Sequence, residues 1–262
     1  MRIDGLAYET AGSGDPVVLL HGGLLDRHSW DAEFALLSAT HHVVRYDARG
    51  HGESDGATGD YAVYDDLITV LDHLGLPRVT GVGLSLGART LIDAALLHPQ
   101  RFAALVLVSP GYSGMEFTDP FVLTQNKAVA EATDPDALVE IFLRAWVDGP
   151  HRSPEDVDPA VRERCRAAAR TAAAKPRGEG TIREVGAAGR FGELRMPVDV
   201  VLGDLDSTDI LAAGERIAAD APDSRIHRIA GAGHSLNLDQ PDAFAAVLRT
   251  VMSGRGAPPR ST

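Results

Sequence analysis

Short apolar runs recur along this chain, each closed by a polar or glycine-bearing turn and followed by a segment whose apolar positions repeat at helical spacing. Residues 6–11 alternate weakly and end in Gly12-Ser13-Gly14-Asp15. Residues 16–20 are continuously apolar, as in a strand covered on both faces of a parallel sheet. The same pattern predicts strands at 43–46, 79–84, 105–108, 198–202 and near 226–229. Between them the spacing predicts helices. One starts from Ser29 as N-cap and runs to about residue 39. Another covers about 61–74, with Leu67, Leu71 and Leu74 on one side, and is ended by Gly75 and Pro77. A third carries Leu91, Ile92, Ala95 and Leu96, a fourth lies near 210–219 with Asp209 as its cap, and the last covers 242 to about 252. Strands alternating with helices in this order imply an α/β class, a doubly wound and mostly parallel sheet.

The alternation is interrupted once. From about 111 to 195 the chain is helical in composition, rich in alanine and arginine, with no strand signal. The simplest organisation is therefore a core made of residues 1–110 and 196–253, with a helical insertion of 111–195 after the strand ending near Ser109. Residues 254–262 are Gly, Pro, Arg and Ser without apolar pattern, and a frayed tail is expected there.

Composition narrows the function classes. The 262 residues suffice to bury a large core without staples. Cys165 is the only cysteine, so no internal disulfide can form. A net charge of −12, with no basic tract, disfavours nucleic acid and anionic membrane surfaces. The opening MRIDGLAYET has Asp4 and no apolar core, and no stretch has the apolar length of a membrane span. A cytoplasmic protein without nucleic-acid or membrane partners is the expectation, and a homodimer is compatible with it. Neither metal-ligand spacing nor a nucleotide-binding glycine motif is present, so no cofactor or metal is expected.

The candidate chemistry lies at 79–97, where Gly83-Leu84-Ser85-Leu86-Gly87 joins a strand to a helix. This G-x-S-x-G pattern in a strand-turn-helix setting presses the serine's flanks together and pushes its hydroxyl out of the sheet. A serine needs a base within hydrogen-bond reach, and the base needs a carboxylate. Among ten histidines, His234 in Gly231-Ala232-Gly233-His234 follows the last predicted strand, at the carboxyl edge of the sheet where such folds bind ligands. For the acid, Asp204, Asp206 and Asp209 follow the strand near Leu202. Asp206 stands far enough past the strand to reach across to His234.

Together with His21-Gly22-Gly23 and the run from Asp47 through Arg49 and His51 to Ser54, these motifs resemble the α/β-hydrolase fold superfamily over about 5–253. The resemblance is to its small capped serine esterases and lactonases, with a local likeness to 3-oxoadipate enol-lactonases around Ser85. It implies Ser85 as nucleophile, His234 as base and then acid, and Asp206 as the group that orients it. It further implies an oxyanion hole from the backbone N–H groups of Gly23 and Leu86, and a loop-bracing role for His21, Asp47 and Arg49. The insertion resembles the family's cap. Leu24, Phe117, Phe121, Phe142 and Trp146, with Tyr112, would then line a pocket for a small apolar or mildly anionic substrate, unless they serve only to pack the cap. The cap arginines 152, 162, 164, 166, 170, 177 and 183 would either steer an anion or form a solvated face. Ester or enol-lactone hydrolysis is expected first. Carbon–carbon hydrolysis, perhydrolysis or acyl transfer share the same triad, and a non-catalytic hydrolase-like binding protein is the competitor from another class.

Overall fold

A computed structural model describes residues 1–175 and 180–255. Eight strands form one sheet: β1 (Arg2–Ile3), β2 (Leu6–Ala11), β3 (Pro16–Leu20), β4 (His42–Tyr46), β5 (Val79–Leu84), β6 (Phe102–Val108), β7 (Val198–Gly203) and β8 (Ser224–Ile229). Their spatial order is β1-β2-β4-β3-β5-β6-β7-β8. β2 pairs antiparallel with β1 and β4, and every pairing from β4 through β8 is parallel. The apolar runs are central because both their faces are covered. Val18 and Leu20 of β3, with Leu105 and Leu107 of β6, join one core; Val17 and Leu19, with Val106 and Val108, join the other. This is the period of two that a strand imposes on its side chains. β8 closes the sheet as an edge strand, with Arg225, Ile226 and Arg228 exposed.

The helices are α1 (Asp31–Ser38), α2 (Val63–His73), α3 (Leu86–Leu97), α4 (Pro120–Glu131), α5 (Pro135–Leu143), α6 (Pro159–Ala173), α7 (Thr208–Asp220), α8 (Leu236–Asp239) and α9 (Pro241–Arg255). Leu67 of α2, Leu91 of α3 and Ile217 of α7 belong to the first core, and Leu37 of α1 with Phe244 and Leu248 of α9 to the second. α4, α5 and α6 lie between β6 and β7 in the chain, as the helical insertion is expected to. Its apolar side chains Phe142, Leu143, Val147 and Cys165 extend the second core, so the insertion is packed onto the body.

Local details depart from the sequence reading. Ser29 does not cap α1. It lies inside a 3₁₀ turn, Arg27–Trp30, capped by the Asp26 side chain, and Ser29 Oγ donates back to the Asp26 carbonyl at 2.8 Å. Ser207 caps α7, freeing Asp209 for another bond. Residues 180–190 contain no helix where only helical composition is legible, and a bridge pairs Ile182 with Tyr61. The last helix continues to Arg255, and 256–262 of the expected tail lie outside the described residues.

Candidate active site

Ser85 sits between the last residue of β5 and the first of α3 with φ 53° and ψ −105°. A side-chain-bearing residue holds such a conformation only where its surroundings over-determine it. Here the Ser85 N–H donates to the Val108 carbonyl and the Ser85 carbonyl accepts the Arg89 N–H, both at 2.9 Å. The flanks must be glycine. A Cβ on Gly83 would lie 2.5 Å from the Gly87 carbonyl carbon, and one on Gly87 would overlap the Leu20 carbonyl of β3.

His234 follows β8 on a loop, and its Nδ1 lies 2.9 Å from Asp206 Oδ2. A carboxylate only accepts, so Nδ1 carries the proton and Nε2 is left with its lone pair. The other oxygen, Oδ1, accepts the Ser207 N–H at 2.8 Å, which fixes the carboxylate's orientation. Both side chains are buried. Asp204 has a different partner, the Gly231 N–H, at 2.7 Å. Asp209 reaches the insertion, accepting the N–H groups of Thr118 and Asp119 and the Thr118 hydroxyl at 2.8–3.1 Å. Asp119 reciprocates by accepting the N–H and hydroxyl of Thr208.

Two cavities share Gly23, Ser85 and Trp146 as walls. The smaller, about 170 Å³, is also bounded by Gly22, Leu24, Leu25, Leu84, Phe142, His234 and Ser235. The larger, about 370 Å³, is bounded by Leu86, Arg89, Tyr112, Met115, Phe117 and Glu184 among others. Ser85 and His234 thus face one space, without a hydrogen bond to each other among the described residues. The Trp146 ring lies 4.6 Å from that of His234 and 6.1 Å from that of Phe117. Phe121 bounds neither cavity. Its ring instead faces the Arg144 guanidinium at 4.5 Å, a cation-π contact within the insertion. Leu86 is the first residue of α3, so its N–H has no intrahelical partner.

Arg89 and Glu184 were not legible as site residues. They form an ion pair, and Arg89 Nε is buried without a partner. Arg89 stands four residues after Ser85, one helical turn on, and that spacing is the signal the sequence held. Glu184 is 95 positions away and gave none.

The neighbouring motifs hold the loops. His21 donates from Nδ1 to the Gly22 carbonyl at 2.7 Å and accepts the Ala48 N–H on Nε2 at 3.0 Å. With both nitrogens engaged it is a neutral brace, and burial pulls its pKa down. Asp47 and Arg49 do not pair with each other. Asp47 binds the Arg27 side chain and the N–H groups of Arg27 and Glu53, while Arg49 pairs with Asp66 and Asp4. Six of the cap arginines singled out by the sequence have carboxylate partners: Arg152 Asp239, Arg162 Asp148, Arg164 Asp31, Arg166 Glu140, Arg170 Asp136 and Arg183 Asp65. None of these six bounds either cavity. Arg177 lies outside the described residues.

A family model described as the alpha/beta hydrolase fold matches residues 15–241. The chain belongs to this family. Relatives of this α/β-hydrolase include a putative 2-succinyl-6-hydroxy-2,4-cyclohexadiene-1-carboxylate synthase of Bacillus subtilis, 29% identical over 95% of this chain and 96% of the relative. The 3-oxoadipate enol-lactonase 2 of Acinetobacter baylyi is 24% identical over 94% and 92%. Among solved structures, a thermophilic esterase from Thermogutta terrifontis, solved with malate bound, superposes with a TM-score of 0.78 at 26% identity, covering 96% of this chain and 94% of that one. No helix among the described residues is long and apolar enough to cross a membrane.

Proposed function

We propose that this α/β-hydrolase is a serine hydrolase that cleaves a small carboxylic ester or enol-lactone through an acyl-enzyme on Ser85. The observation that carries this reading is that Ser85, on a strained elbow, and His234, hydrogen-bonded to buried Asp206, bound the same cavity. In the first half-reaction His234 Nε2 takes the Ser85 proton as Oγ attacks the carbonyl carbon. The N–H groups of Leu86 and Gly23 hold the oxyanion, and the Asp206 carboxylate stabilises the imidazolium. Collapse breaks the bond to the leaving oxygen, which receives the proton from His234. In an enol-lactone this opens the ring and leaves the enol on the same molecule. Water, deprotonated by His234, then attacks the acyl carbon and releases the acid and free Ser85.

The two cavities suit the acyl and leaving groups of one substrate. The smaller is walled by leucines, Phe142 and Trp146, and suits an apolar group. The larger carries Tyr112 and the Arg89–Glu184 ion pair, which suits a polar group. The insertion would act as the cap that covers both.

Turnover of short p-nitrophenyl esters tests this reading, with Ser85→Ala as control. A loss of at least ~10³ in kcat is expected on substitution, by analogy with triad knockouts. Equal turnover by both proteins would exclude Ser85 as the nucleophile. Ester binding without turnover by the native protein would favour a binding function.

A further inference from the structure

The loop that carries His234 is tied to the helical insertion by contacts that the chemistry above does not use. The insertion makes a π-helical turn at Arg144–Asp148, in which the Gly149 N–H reaches back to the Arg144 carbonyl. The carbonyls at the end of such a turn have no further helix to bond. Arg152 takes two of them, donating from Nε to Asp148 at 3.0 Å and from Nη2 to Val147 at 2.7 Å. The same Nη2 donates to Asp239 Oδ2 at 2.9 Å. That oxygen also accepts the N–H of Gly233, the residue before His234, at 2.8 Å. The arginine side chain is 10% exposed and the aspartate 4%. A Cβ on Gly233 would overlap the Arg152 guanidinium, so a larger residue there would push the arginine from its place. On the other side of His234, Ser235 Oγ donates to the Trp146 carbonyl at 3.4 Å, and the Trp146 ring packs against the imidazole, tilted by 47° with centroids 4.6 Å apart.

We propose that Arg152 and Asp239 are positioning residues: one buried ion pair joins the 144–148 turn to the backbone beside His234, setting the imidazole and the indole over it together. This rests on the reading of His234 as the base. The physical reason is that a loop histidine held by Asp206 alone can still pivot. A second anchor, one residue before it, removes that freedom, and misplacement by about 1 Å is enough to cost a large factor in rate. The same anchor keeps Trp146 seated, so the packing of the insertion and the alignment of the base are set together.

Arg152→Met leaves a buried carboxylate unpaired and can unfold the protein. Arg152→Lys keeps the charge, but its ammonium on a single flexible stem lacks the fork that spans two carbonyls and a carboxylate at once. Two measurements decide the matter in the full chain. With p-nitrophenyl acetate, Arg152→Lys should lower kcat at least fivefold while KM moves less than threefold. The second is tryptophan fluorescence against pH. Trp30 is fully buried against Phe244, whereas Trp146 lies over His234, so protonation of the imidazole should quench Trp146 in a step that His234→Ala abolishes. Asp206 is the titratable group hydrogen-bonded to His234, and Asp206→Asn serves as the companion control for it. In Arg152→Lys the step should shrink by at least half, because the indole no longer sits on the ring.

A folded Arg152→Lys protein with native kcat and a full fluorescence step overturns the proposal, as does a native protein with no step at all. If the native protein hydrolyses no ester, the reading of Ser85 fails, while the fluorescence comparison still decides whether the ion pair sets the Trp146–His234 contact.

Discussion

Asp204 and Asp206 stand two residues apart after β7 and serve different partners. Asp206 divides its oxygens between His234 and the Ser207 N–H, whereas Asp204 closes a turn by accepting the Gly231 N–H. Only the first touches the imidazole that the proposed mechanism protonates. Asp206→Asn should therefore lower kcat by up to ~10⁴, since an amide can hold His234 in the wrong tautomer. Asp204→Asn should stay within about tenfold of the native protein. Steady-state kinetics on a p-nitrophenyl ester checks the pair, and the reverse ranking would move the acid's role to Asp204. His21 gives a further contrast. Its two nitrogens are both bonded and burial keeps it neutral, so His21→Ala should act through loop stability, measured as a lower urea midpoint.

At the scale of elements, the elbow and the join between the insertion and α7 carry the geometry. An alanine at 83 meets backbone atoms of Gly87 and Ala88, which cannot swing away as a flexible side chain could. Gly83→Ala should cost about 1–3 kcal/mol in denaturant unfolding and displace Ser85, with activity lost beyond the loss of folded protein. Asp209→Ala leaves three donors of Thr118 and Asp119 without their acceptor, and should cost about 1–3 kcal/mol by the same measurement. These two sites also mark what the sequence could and could not disclose. The elbow was legible because its requirement is local: five consecutive residues dictate the turn. Strand positions in the sheet's interior were legible because coverage on both faces makes a run uniformly apolar. Asp209 was misread as a cap because its acceptor role is set by residues about 90 positions away. Ser29 is not a cap because Asp26 starts a 3₁₀ turn before it, and that turn runs directly into α1. Phe121 faces Arg144 and not a cavity, since apolar character alone does not say which side of the insertion a ring faces.

For the molecule as a whole, the second core joins α1, α9 and the insertion, and it encloses one poorly satisfied carboxyl. Glu33 of α1 is buried, its Oε2 has no partner, and the nearby Asn237 leaves its own Oδ1 without one. Burial is the largest cause that pushes the Glu33 carboxyl up to about 7. The native state then holds a proton that the unfolded chain releases near the usual glutamate value of about 4.3. Between these values the folded protein binds more protons, so stability falls as pH rises through the window, by about 4 kcal/mol once the group is ionised. Glu33→Gln should remove that slope, raising the urea midpoint at pH 8 relative to the native protein and not at pH 4; an unchanged slope would mean the carboxyl is ionised in the fold throughout. On the proposed mechanism the whole arrangement of sheet, loops and insertion serves one nucleophile, Ser85. A p-nitrophenyl alkylphosphonate, which forms a stable bond to an activated serine, reads this out by intact mass and peptide mapping. One adduct per chain on Ser85, absent in Ser85→Ala and formed at least ~10²-fold more slowly in His234→Ala, is the outcome expected of a nucleophile activated by its base. No adduct, an adduct on another residue, or labelling at the same rate without His234 would contradict it.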